Sequence, residues 1–448
     1  MQNFLDNVRE YIDLLSPAEL REALADLSTG ELLDVWDQLT EEEAGKVFLQ
    51  LESDKKVALI NELSVDQQEE LIKSLSIENQ RILFEQLEPD DLVDIIQQVS
   101  SEARDAVWSS LSDEARKETQ FLLRFDEDDA AGIMTPRYLA VRADLTVGQA
   151  MHFVRGHARD IEAIYYIYAL DQVKRVQGVV SLKDLLFNPD STRLSEIMER
   201  EVVSVREDLD QEEVARTLES HDLAAIPVVD RHNRLLGIIT FDDVIDVIRE
   251  EQTEDLYKMS AMEGGADRYV GTSVGKLIRK RIPWLIILLL AGTITTNVLS
   301  LFEPILAAAT FLVWFVPVIT QTGGNSGTQS STLMIRGIAT GEIHFRDIWK
   351  VLGKELAVGI VMGLILGVVI VGRSMFLPPH IGVLQAAAVG ASLVFVVLFS
   401  SIIGAFAPLI IHKLGFDPTV MAGPLMATVI DVLGLTIYFQ IARLILNI

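Results

Sequence analysis

The sequence predicts a multidomain chain: an N-terminal α-helical repeat superhelix, a duplicated α+β unit, a connecting helix and a transmembrane domain of five helices. Three observations predict it. Leucine returns every twelve residues through the first hundred positions, a second block of sequence recurs once further along, and the last third of the chain is apolar in runs long enough to cross a bilayer.

The period is carried by Leu15, Leu27, Leu39, Leu51, Leu63, Leu75, Leu87 and Leu111, with Val99 in the remaining slot. Such regularity means stacked units, each burying an apolar stripe on its neighbour. The next residue is a capping type at Ser16, Ser28, Thr40, Ser64, Ser76, Ser100 and Ser112, and Glu19, Glu31, Glu43 and Gln67 stand three places after the first four. That spacing is the capping box, which satisfies orphan N–H groups at a helix start, so helices of about two turns are expected. Acids such as Asp90, Asp91 and Asp94 are expected to stay on the outside.

In the second repeat, Ile133-Met134 returns as Ile197-Met198, Val141-Arg142 as Val205-Arg206 and Leu145 as Leu209, all at an offset of 64. Gly178, Ser181 and Asp184 return as Gly237, Thr240 and Asp243 at 59, so the second copy carries a deletion. Each copy reads as a strand near Leu139–Val141 or Val202–Val205, a helix, a strand such as Ile226–Val229, and a strand-turn-helix such as Leu236–Ile248. The pair resembles tandem CBS domains, modules that often bind adenine nucleotides and often dimerise. The resemblance implies a ribose-binding role for Ser181 and Asp184, with Tyr166 and Lys183 beside them, and points to Thr240 and Asp243 in the second copy. The competing reading is that these Ser and Thr residues are plain helix caps.

Charge divides the chain. Residues 276–448 hold 11 basic and 6 acidic side chains, which leaves 27 and 59 for residues 1–275, a balance of −32 there. Such an excess argues against nucleic-acid binding and favours solvation or cation binding. The chain has no cysteine, no HExxH and no GxSxG, and its seven histidines form no metal-ligand pair on a span, so an enzyme is not expected. Met1 to Glu10 lack the basic-then-apolar pattern of a cleaved signal, so the acidic half is expected to stay in the cytoplasm.

By length, five spans fit at 283–302, 305–334, 353–376, 383–411 and 418–446. Basic residues gather before the first (Arg279, Lys280, Arg281), between the second and third (Arg336, Arg346, Lys350, Lys354) and between the fourth and fifth (Lys413). The positive-inside rule then puts the N-terminus in the cytoplasm and the C-terminus outside. The second span carries the polar run from Gln321 to Thr332, which includes Gly324, Asn325 and Thr328; it reads as a pore lining, with a seam of small packing residues as the alternative. Asp431 is read as the one carboxylate deep in a span, since Glu355 lies beside Lys354 at a span end. A carboxylate there costs at least ~2.5–3.5 kcal/mol, and with no basic partner it suits a hard cation that keeps much of its water, as Mg²⁺ does.

The order of parts, together with Ala131-Gly132-Ile133-Met134-Thr135-Pro136, the Gly-Gly-Asn-Ser-Gly-Thr-Gln run and Pro424 with Asp431, resembles the MgtE family of magnesium channels. The resemblance covers essentially the whole chain. It implies that Asp431 coordinates hydrated Mg²⁺ in the pore with help from Gly324, Asn325, Thr328 and the Ala427 carbonyl, in a homodimer embedded in lipid. Some members carry Asn where this chain has Thr328. It also implies regulatory Mg²⁺ among Asp90, Asp94, Asp210, Glu212, Asp222, Asp243, Asp246, Glu251, Glu254 and Asp255, closing the pore when cytoplasmic magnesium is plentiful. The expected domains are 1–128 (helical repeats), 129–248 (CBS pair), 249–275 (connecting helix, broken at Gly264-Gly265) and 276–448 (pore). The rival reading is a transporter of another divalent cation under the control of adenine nucleotide such as ATP.

Overall fold

The computed structural model describes residues 12, 15–36, 38–158, 161, 163–262, 264, 272–421 and 423–448. They form two compact units that divide after Glu251.

The first unit begins with short helices: α1 (Pro17–Ala25), α2 (Thr29–Trp36), α3 (Glu41–Gln50), α4 (Ser53–Glu62), α5 (Val65–Ser74), α6 (Ile77–Phe84), α7 (Pro89–Gln98), α8 (Ser101–Ser110) and α9 (Asp113–Leu122). All four capping boxes form: the side-chain oxygens of Glu19, Glu31, Glu43 and Gln67 accept from the backbone N–H of Ser16, Ser28, Thr40 and Ser64 at 2.8–3.0 Å. The period has a physical origin at the other helix end. Leu51, Leu63, Leu75, Val99 and Leu111 stand just past α3, α4, α5, α7 and α8 with extended backbone, and each N–H closes back on its helix. Their side chains drop into one continuous core that runs from Leu20 to Ala115. One slot thus ends a helix and fills the core.

The duplicated block follows: β1 (Ala140–Arg142), α10 (Val147–His157), β2 (Tyr166–Leu170), β3 (Val176–Ser181), α11 (Leu182–Phe187), α12 (Leu194–Ile197), β4 (Val205–Arg206), α13 (Gln211–Ser220), β5 (Ala225–Val229), β6 (Leu235–Thr240) and α14 (Phe241–Met259). Each copy is a three-stranded sheet with its first two strands parallel and its last two antiparallel. The copies exchange edges. Thr135 bridges Ile238 of the second sheet, and Glu199 bridges Val179 of the first. A Cβ on Gly178 would lie 2.7 Å from the Met198 sulfur, and one on Gly237 would lie 2.7 Å from the Met134 sulfur. The repeated Ile-Met and Gly pairs are therefore the two faces of this exchange.

In the second unit come α15 (Val274–Leu301), α16 (Glu303–Ala308), α17 (Phe311–Ala339), α18 (Ile348–Phe376), α19 (Val383–Lys413) and α20 (Gly423–Leu446). Helices α17, α18 and α20 all pack against α19. Among the described residues, four segments are long and apolar enough to cross a membrane: Val274–Leu301, Phe345–Phe376, Val383–Lys413 and Gly423–Leu446. The long helix α17 is not among them, because its polar run dilutes the apolar stretch. Two boundaries differ from expectation. The span expected at 305–334 is broken at Ala309-Thr310, where Ala309 leaves helical geometry, and α17 then continues to Ala339. The first helix starts at Val274, capped by Ser273, so the basic triplet lies inside it; hydropathy marks where a helix turns apolar, not where it begins. Helix α14 ends at Met259, before the expected break at Gly264-Gly265; Gly265 and the resumption expected after it fall on residues outside those described.

Leu59 is fully buried in the helical core. Leu59→Ala should destabilise the helical repeats by about 2–5 kcal/mol. Hydrogen exchange should quicken across residues 41–84 and stay unchanged across 274–446.

Candidate functional site

Helix α7 opens with Pro89, Asp90 and Asp91, and α14 opens with Asp242 and Asp243, acids that helix N-termini favour. The fold sets these two groups against each other. Burial first, then Asp243 and Asp91, hold the Asp90 carboxyl well above the ordinary carboxylate range. Burial, Asp246 and Asp242 raise Asp91, against a 2.6 Å hydrogen bond donated by Asn61. Asp94 keeps an exposed side chain, yet the protein crowded around it, with Asp91, Glu250, Glu127 and Asp243, raises it to about 7. Asp243 is raised to about 6 by burial, although Thr240 donates to it. Asp90 and Asp91 are therefore half-buried in a joint rather than on the outside as expected.

The joint has a basic edge. Arg137 lies 3.0 Å from Glu118 and 3.7 Å from Glu88, and Thr135 donates to Glu88 at 3.3 Å. Beside that edge, Asp90 Oδ1 is buried with no hydrogen-bond partner among the described residues. An acceptor-only oxygen among raised carboxyls fits a proton or a hard cation. Among the described residues, no three carboxylates or histidines already converge as direct ligands, so a dication held here would keep water between itself and most of the acids.

The structure gathers Asp90, Asp94, Asp243 and Asp246 of the expected regulatory set and spreads the others. Asp210 caps α13 by accepting from the Glu212 N–H at 2.9 Å, and Glu212 pairs with Arg216. Asp222 sits in a turn at φ +51°, and Glu251 accepts from Gln211 at 2.7 Å. Glu254 and Asp417 share Lys258, at 2.9 and 2.8 Å, which ties α14 to the loop between α19 and α20. Asp255 lies on α14, one residue after Glu254. Sequence reasoning left Asp91, Asp242 and Glu250 out of the set; their position in the first turns and on the face of these two helices was the available signal.

In the membrane unit, Gly327 and Gly404 bring the backbones of α17 and α19 into contact. That approach seats Gly324 against Ala427 of α20, where a Cβ would lie 3.7 Å away. Asp431, one turn beyond Ala427, is half-buried and has neither hydrogen bond nor ion pair among the described residues. Asn325 is exposed and Thr328 half-buried on α17. Glu355, near the start of α18, is turned inward: it is 7% exposed and accepts from Ser330 at 2.7 Å. In the CBS pair, strand register sets Tyr166 opposite Ser181, Ser181 donates to Asp184 at 2.6 Å, and Lys183 is exposed next to them. The Tyr168 hydroxyl is buried without a partner in the same sheet.

A magnesium transporter MgtE of Thermus thermophilus is 44% identical over 337 residues, 75% of this chain and 74% of that one. The chain belongs to the MgtE family. The family's divalent cation transporter model matches residues 316–441, its intracellular N-domain model residues 27–128, and the CBS domain model residues 130–189 and 194–250. An MgtE magnesium transporter of Bacillus subtilis is 35% identical over 75% of this chain and 73% of its own. A crystal structure of the cytosolic domain of the Mg²⁺ channel MgtE in complex with ATP is 40% identical, covers 54% of this chain and 99% of that one, and superposes with a TM-score of 0.52. Its transporter relatives and its apolar helices make this MgtE chain a multi-pass membrane protein.

Carboxyls raised by docking bind protons more tightly in the docked joint, so their stabilising contribution is full at low pH and is lost as pH rises through about 6 and 7. Asp94→Asn removes one repelling charge. It should make docking without metal persist from pH 6 to 8, where the wild type loosens. Spin labels on Glu102→Cys and Glu219→Cys, in a chain that has no other cysteine, would read the distance.

Proposed function

We propose that this chain is a Mg²⁺-selective channel or transporter of the bacterial inner membrane, closed by cytoplasmic Mg²⁺ acting on the acidic joint. The carrying observation is Asp431, a membrane carboxylate without a partner among the described residues, one turn from an alanine seated on the glycine run of α17. Such a group is costly in lipid and is kept where an ion passes. In this reading α17 is the fifth span, since a polar helix is stable at membrane depth when it lines a water-filled path. The N-terminus is cytoplasmic, the C-terminus is outside, and two copies complete the pore with paired Asp431 carboxylates. Asn325 and Thr328 line the path, and the Ala427 carbonyl assists.

Regulation follows from the joint. Asp90, Asp94, Asp243 and Asp246 repel when bare, and a bound dication favours the docked arrangement by its own binding energy. Asp210, Glu212, Asp222, Glu251, Glu254 and Asp255 are assigned to further ions along the same surfaces. Domain limits at 128, 248 and 275 belong to this proposal. The ATP complex of the related cytosolic domain supports a nucleotide at Tyr166, Ser181, Lys183 and Asp184. It also favours a second reading in which nucleotide rather than metal sets activity; titrating each against flux separates the two.

The test is Mg²⁺ entry into proteoliposomes loaded with a fluorescent indicator. Asp431→Ala, folded and dimeric, should conduct nothing under conditions where the wild type conducts; equal flux from both sinks the pore assignment. Lys258→Ala frees α14 from Asp417. Closure should then need several-fold more internal Mg²⁺, read as a shifted midpoint with unchanged maximal flux.

A further inference from the structure

Glu355 is a buried carboxylate that the reading above does not use. It lies on the stripe of α18 that faces α19, with Val351, Gly359, Gly363 and Gly367. Past it the helices close on each other: a Cβ on Gly363 would lie 2.8 Å from the Val394 carbonyl oxygen, and one on Gly359 would lie 3.1 Å from Leu398. Glu355 therefore sits on the same stripe, one turn before this close approach begins. Helices α17 and α18 both lean on α19, and the 2.7 Å bond donated by Ser330 to Glu355 joins them directly.

No cation compensates this carboxylate. Lys350 pairs with Asp347 at 3.2 Å, Lys354 is exposed, and Glu355 has no ion pair among the described residues. One neutral hydroxyl offsets only part of the cost of burying a charge. Ser330 shares the buried face of α17 with Gly323, Ser326 and Gly327, and it follows Gly324 by six residues, or about 9 Å of helix rise. The charge thus stands behind the polar helix, short of the place where Gly324 meets Ala427.

Resting on the transport reading, we propose that Glu355 is a specificity-determining residue: a carboxylate whose field favours divalent over monovalent cations along α17, with Ser330 only orienting it. A field effect depends on charge, whereas a structural tie depends on the hydrogen bond. Glu355→Gln keeps an acceptor for Ser330 and loses the charge; Ser330→Ala does the reverse.

The full-length protein is reconstituted in planar bilayers at low internal Mg²⁺, and the Mg²⁺ to K⁺ permeability ratio is taken from reversal potentials. Glu355→Gln should lower the ratio by about tenfold or more, as removal of a fixed charge near a pore does. Ser330→Ala should stay within about twofold of the wild type, because its charge remains. Equal losses in both variants, or an unchanged ratio in Glu355→Gln, overturn the proposal. If Glu355→Gln does not fold, Glu355→Asp decides: it keeps the charge and should keep the ratio, and its loss overturns the proposal as well. A wild type that conducts no Mg²⁺ sinks the transport reading and this inference with it, whereas a selective wild type with an indifferent Glu355 sinks this inference alone.

Discussion

Carboxylates brought together at a joint repel unless something positive stands among them, and residues 1–275 carry 59 acids against 27 bases. The chain meets the condition differently at each contact. Arg137 offsets part of the charge of Glu88 and Glu118, Lys258 does so for Glu254 and Asp417, and Asp90, Asp91, Asp94 and Asp243 have no such cation among the described residues. A tethered cation is always present, while an exchangeable one depends on its concentration. Under the proposed regulation, sensitivity is thereby confined to the acids that have no tethered cation.

The same economy governs the membrane unit. If α17 is the proposed fifth span, its polar run must avoid lipid, and small residues let it turn inward: Gly327 and Gly404 remove the side chains that would hold α17 off α19. Ser326 and Ser401, 3.0 Å apart, then satisfy each other inside the bundle. What remains outside this packing is the face with Asn325, Thr328 and, on α20, Asp431.

Much of the fold was legible because it rests on local chemistry. A cap needs an oxygen three residues from its partner, so Ser16 and Glu19 announce a helix start, and the duplicated Ile-Met and Gly pairs announce a duplicated sheet. The edge exchange between copies was not legible, since Thr135 and Ile238 are a hundred residues apart in the chain. Asp90 and Asp91 were misplaced for a related reason: amphipathic spacing tells which face of a helix is polar, but not whether another polar face lies against it. Glu355 reads from the sequence as a residue beside Lys354 at a span end, and nothing local announces that its side chain turns inward to Ser330 while Lys354 stays exposed. In the candidate site, residue types were readable and their grouping was not.

Arg137 has one more effect on the joint. If the proposed regulation holds, a contact that keeps a permanent cation beside an exchangeable one would swing like a door on a hinge instead of coming apart. The two faces would stay within each other's reach, so the effective concentration of one for the other would stay high while the joint is open. Reclosure would then need no diffusional search between separated modules.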